Sequence, residues 1–104
     1  MMTLADISAF LVAIDPDCAH YEHSHEGLVP YTVWHEWQRL PYTADNRHVG
    51  GWRFQIDRFT PNEDDPIAEA IEAALENDDR ITYSLQVDYE RDTGYIHHIF
   101  SCEG

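Results

Sequence analysis

The sequence predicts a single α+β domain, residues 1–104, in the order α-β-β-α-β-β. Three observations carry this. Two stretches place apolar residues at three- and four-residue spacing behind helix-start signals. Four stretches alternate apolar and polar residues, as half-buried strands do. Turn residues separate the strands in pairs on either side of the second helix. The expected architecture is a four-stranded, mainly antiparallel sheet with both helices packed on one face.

Thr3-Leu4-Ala5-Asp6 has the form of a capping box, with Asp in the usual Glu position. Leu4, Ile7, Leu11 and Ile14 then form one stripe, widened by Phe10, and Asp15-Pro16 ends the helix. Residues 17 to 30 are polar, rich in His and acid, and read as a loop. Tyr31 to Arg39 alternates, with Tyr31, Val33, His35 and Trp37 on one face and Thr32, Trp34, Glu36 and Gln38 on the other. Large side chains on both faces predict a strand buried partly on each side. A second irregular stretch follows, closed by Gly50-Gly51. Trp52, Phe54 and Ile56 alternate with Arg53, Gln55 and Asp57 in a strand reaching about Phe59.

Asp65-Pro66 pairs an N-cap residue with proline at the first helical position. Ile67, Ala70, Ile71, Ala74 and Leu75 make the expected buried stripe, with Glu69, Glu72 and Glu76 opposite. Asn77-Asp78-Asp79 ends this helix without a glycine, against the helix dipole. Ile81, Tyr83, Leu85, Val87 and Tyr89 mark the third strand. Asp92-Thr93-Gly94 supplies a turn whose glycine takes a positive φ, and Tyr95 to Cys102 is the fourth strand.

Composition narrows the function. Twenty Asp plus Glu stand against six Arg and no Lys, a formal net charge of -14 spread along the chain. A compact body so charged repels itself at low salt. Molar salt removes the repulsion, because the Debye length falls to about 3 Å at 1 M. Uniform acidity without Lys therefore points to a protein built for a very salty cytoplasm. Binding to duplex phosphate and to anionic membrane surfaces is disfavoured, since both need cationic side chains. No apolar run spans a bilayer and the N-terminus has no basic leader pattern, so a soluble intracellular product is expected. Cys18 and Cys102 are read as free thiols.

Seven histidines are many for this length. Cys18, His20, His23 and His25 have ligand types suited to zinc or nickel, but their spacing matches no closed zinc motif, and a polar surface loop is the simpler reading. His97 and His98 fall on opposite faces of one strand and cannot share an ion. Phosphate-binding loops, nucleophile elbows and zinc-protease motifs are absent, so no catalytic residue and no cofactor is expected. The aromatics Tyr31, Trp34, Trp37, Tyr42 and Trp52 gather around the first strand pair. A sheet with helices on one face cannot cover both Trp34 and Trp37, which makes this group the candidate interface. The acidity also allows an interaction module, a DNA mimic or inhibitor of a basic protein.

Leu28-Val29-Pro30-Tyr31-Thr32-Val33-Trp34, then Trp52-Arg53-Phe54-Gln55-Ile56-Asp57-Arg58-Phe59, then the Ala-rich helix Ile67 to Leu75, and Asp92-Thr93-Gly94-Tyr95-Ile96 before the last strand, make a recognisable series. It resembles the tail-completion or tail-terminator proteins of long-tailed viruses, from about Ile7 to Phe100. The His-rich loop and the lack of Lys depart from that pattern. The resemblance implies a structural virion protein at the head-proximal end of the tail, assembled in the host cytoplasm. It implies a homo-oligomeric ring, typically of six subunits, that ends the tail tube and offers a surface to the head-completion or stopper connector protein. Another head–tail joining role fits the same features. With the acidic composition, the resemblance leads to a virus of an extreme, haloarchaeal halophile.

Overall fold

The computed structural model describes residues 2–22, 30–40, 43–44, 47–48 and 51–104. Helix α1 (Leu4–Val12) begins at the expected capping box. The Thr3 hydroxyl accepts from the Asp6 N–H at 3.1 Å, and the Asp6 carboxylate accepts from the Thr3 N–H at 2.9 Å. These reciprocal bonds hold the Asp6 carboxyl below the usual carboxylate range. Ile7 and Leu11 are fully buried, with Leu4, Phe10 and Ile14 packed at their margin.

The expected loop of residues 17 to 30 contains a two-residue strand, β1 (Ala19–His20), that pairs parallel with β2 (Tyr31–Arg39). The sheet is therefore five-stranded and mixed, where the sequence predicted four strands. Two residues are too few to show a period, which is why β1 was not visible. After β2 comes a separate two-stranded ladder, β3 (Thr43–Ala44) with β4 (Arg47–His48), inside the second stretch read as irregular. β5 (Trp52–Thr60), α2 (Pro66–Glu76), β6 (Thr82–Glu90) and β7 (Tyr95–Glu103) complete the chain.

The order across the main sheet is β1-β2-β5-β7-β6, antiparallel except at β1. The two hairpins thus join through β5 and β7, and β6 becomes an edge. Trp34, Ile56, Phe100 and Leu85 lie across from one another in successive strands. With Phe54 and Cys102 they floor the core, and Ile7, Leu11, Ile71 and Leu75 of the two helices close over it. Met2 and Ile81 fill its ends. A radius of gyration of 14.4 Å is close to the ~13 Å of a compact domain of this length.

α2 follows its sequence signals closely. Asp65 accepts from the Ala68 N–H at 2.9 Å, Pro66 opens the helix, and Asn77 caps its end in an ordinary right-handed conformation. Its buried positions are Ala68, Ile71 and Leu75, while Ala70, expected inside, is exposed. Glu72 and Glu76 are not merely solvated. The Tyr83 hydroxyl lies 3.2 Å from the first and 3.0 Å from the second, and shares its one proton between them. Burial, then these two carboxylates, push the Tyr83 phenol well up.

Gly94 takes φ +74°, as its turn requires. Gly51 is held to glycine by space: a Cβ there would sit 1.7 Å from the Gly104 carbonyl oxygen. That approach lets Trp52 and Gly104 exchange two backbone hydrogen bonds of 3.0 Å.

Candidate interaction surface

The face of the sheet away from the helices carries the candidate interface. Across it run Tyr31, Phe59 and His97, then Val33, Asp57 and Ile99, then His35, Gln55 and Ser101. The β2–β5 register shifts between Glu36 and Gln38, and Trp37 sits in that irregularity. A bulge re-aims the residue it contains. Here it leaves Trp37 58% exposed, the most exposed of the described tryptophans. The Arg53 guanidinium carbon lies 5.9 Å from the Trp37 ring centroid. Arg53 also donates to Gln38 and stands 3.6 Å from the Glu103 carboxylate. Trp37 and Arg53 border a shallow recess of about 290 Å³ whose other walls include Ser84, Ser101 and Glu103.

The sequence-predicted interface residues therefore separate. Trp34 is 2% exposed and belongs to the protomer's core. Tyr31 is buried and stacks on Phe59 at 4.8 Å between ring centroids. Trp52 is half-buried beneath the Arg39 guanidinium at 4.8 Å. Tyr42 lies outside the described residues. The opposite-face placement of Trp34 and Trp37, read from alternation, holds, and of the two Trp37 is the exposed one.

A polar network on the same face was not singled out from the sequence. His97 Nε2 lies 2.7 Å from Asp57 Oδ1 and donates to it, and His97 Nδ1 is 3.8 Å from the Glu90 carboxylate. The Gln55 amide donates to both Asp57 oxygens at 2.9 and 3.1 Å. Phe59 stacks on the His97 ring at 4.0 Å. With both imidazole nitrogens directed at carboxylates, this cluster ties β5 to the β6–β7 hairpin.

The weak metal candidates divide too. Cys18 and Cys102 are free thiols. Burial, then Asp15 and Asp17, raise the Cys18 thiol to about 11, so it stays protonated at neutral pH. Burial alone raises Cys102 to about 12. The His20 Nε2 is engaged by Glu36 at 2.6 Å, and its ring is sandwiched between Tyr21 and Trp34, 3.9 Å from each. Tyr21 adopts φ +70°, a left-handed backbone unusual for a side chain of its size, and its N–H donates to Trp34 O at 2.7 Å. His23 and His25 lie outside the described residues. Among the described residues no three His, Cys, Asp or Glu gather as metal ligands would, and no helix is long and apolar enough to cross a membrane.

Beneath the opposite, helix-covered face lies a buried cationic hub. Arg58 is 4% exposed. It donates from Nε and Nη2 to the two Asp65 oxygens at 2.8 and 3.2 Å, and from Nη1 to the Thr32 hydroxyl at 3.2 Å. Asp15 stands 3.5 Å away. One guanidinium thus links the end of α1, β2, β5 and the α2 N-cap. Burial alone would raise the Asp65 carboxyl. The bonds from Arg58 and the Ala68 N–H outweigh it and hold the group below the usual carboxylate range.

No protein-family model matches this chain, and no curated protein matches it.

Proposed function

We propose that this chain is a structural protein of a virus head–tail junction, with a tail-terminator-like fold, whose copies close into a ring that ends the tail tube and receives the head connector. The observation that carries the reading is the sheet face away from the helices, where a bulge holds Trp37 out, 58% exposed, beside Arg53. Both helices serve the other face. Exposed indole beside a guanidinium is the composition of an interface anchor. A ring closes when one surface of a protomer meets a different surface of the next. The order of elements and the strand stretches that carry the sequence resemblance support the same reading.

The net charge of -14 opposes assembly of identical subunits in dilute buffer. The ring is therefore a high-salt species, in keeping with a halophile's virus, and its place is the head-proximal end of the virion tail. The test is assembly in molar KCl with the cognate tail-tube protein. Wild-type chain should cap the tubes and limit their length, and Trp37→Ser should leave them uncapped while remaining folded. Tubes indifferent to the wild-type chain would refute the proposal.

A further inference from the structure

A second exposed feature lies on the helix side, at the outer edge of the sheet. Among the described residues β6 pairs as a strand with β7 alone. In an antiparallel strand, every second residue directs its N–H and C=O outward. Natural edges are usually blunted by charged side chains, by Pro, by bulges, or by shortness. β6 is nine residues long, regular in register and without Pro, and its charges, Asp88 and Glu90, are both acidic, which disfavours an acidic partner strand and not a basic one.

Beside this edge α2 does not cover the whole of the strand. Two adjoining recesses, of about 120 and 470 Å³, share Glu63, Val87 and His98. Their floor is Leu85, Val87, Tyr89, Ile96 and His98. Val87 is 55% exposed and Tyr89 65%. The wall is acidic, formed by Glu63, Glu69 and Glu72. His98 Nδ1 is buried with no hydrogen-bond partner among the described residues. A buried polar atom of this kind costs free energy until a partner reaches it.

We propose that this groove and the open edge of β6 receive an extended, basic segment of a partner protein as an added strand. Main-chain bonds to β6 would provide the pairing, and alternate side chains would enter the groove. Apolar residues suit the floor, and Lys or Arg suit the wall. Charge argues against a second copy as the occupant. This chain has no Lys and six Arg. Arg58 is buried, while Arg53 and Arg80 already face Glu103 and Asp78. The inference stands whether or not the chain forms a ring.

The test uses isotope-labelled full-length chain and the synthetic nonapeptide Thr-Val-Thr-Arg-Thr-Val-Thr-Arg-Thr, which puts Val and Arg on one face of the strand, with the peptide carrying Glu for Arg as control. The basic peptide should bind at one saturable site, more weakly as KCl rises, and the acidic peptide should not bind. Outward amides of Thr82–Glu90 should gain protection from hydrogen exchange. Val87→Lys should weaken binding about tenfold or more, and Tyr89→Lys should repeat the effect. Ala9→Lys, on the exposed side of α1, carries the same charge change and should alter affinity less than about twofold. No binding would overturn the proposal, as would equal weakening by Val87→Lys and Ala9→Lys, the mark of general attraction to an acidic skin. Self-association abolished by Val87→Lys would overturn it in favour of a second copy.

Discussion

Replacing Arg58 by Met keeps most of the side-chain volume and removes the charge at the hub. Arg58 and Asp65 are each about 5% exposed at the side chain, so water cannot compensate the carboxylate left behind. Breaking such a buried pair costs about 3–5 kcal/mol. The Ala68 N–H bond to Asp65 survives, so the helix cap, worth ~1 kcal/mol, is not part of the loss. For a domain whose total stability is of order 5–15 kcal/mol, this is a large fraction. The midpoint of thermal unfolding should fall by about 15–25 °C. Urea titration followed by tryptophan fluorescence is the suitable assay, because urea leaves ionic strength fixed. The loss should be nearly the same at low and molar KCl, since buried pairs are little screened. The double variant Arg58→Met with Asp65→Asn should recover about 2 kcal/mol relative to the sum of the single losses. A single-variant loss under about 1 kcal/mol, or strict additivity, would refute the hub as a coupled unit.

Other outcomes follow from the same structure. Gly51→Ala drives a methyl group into the Gly104 carbonyl, so it should open the paired bonds between Trp52 and Gly104. The expected cost is about 1–3 kcal/mol, with faster exchange at the Trp52 amide as the check. The Asp65 carboxyl sits below its ordinary 3.8 in the folded chain. Its stabilisation is therefore full above that value and lost as pH falls through the folded value. The stability gap between wild type and Asp65→Asn should be flat from neutral pH down to about 5 and should close below about 4, in urea titrations across pH. Fluorescence quenching by acrylamide should be dominated by Trp37 in the unassembled chain. Trp37→Phe should remove most of the accessible signal, while Trp34→Phe should destabilise without removing it.

Where a period extends over many residues, the sequence disclosed the structure. β2 spans Tyr31 to Arg39 and keeps its alternation as far as Glu36, after which the bulge puts Gln38 across from Arg53, on the face opposite to the one alternation assigns it; α2 starts where Asp65-Pro66 says it should. The Trp34–Trp37 divergence was legible for the same reason, since alternation assigns faces without knowledge of partners. β1 was not, because two residues form no pattern and its pairing with β2 is set by tertiary contact. The hub has a signal in the sequence: Arg58 shares the parity of Phe54 and Ile56 and so points inward. Capping alone accounts for Asp65 in the sequence, although one carboxylate can both cap a helix and pair with a guanidinium. The Asp57–His97 pair depends on β5 lying beside β7, a choice of strand order that local patterning does not encode. The groove beside β6 is likewise a result of that order, which leaves β6 at the edge.

The most direct test of the account is the mass of the wild-type chain in molar KCl, by light scattering across a range of concentrations. The account predicts one closed oligomer of fixed subunit number that dissociates on dilution into low salt and on Trp37→Ser. A particle of 12.1 kDa at every concentration and salt, with its Trp37 indole still open to quencher, would contradict it.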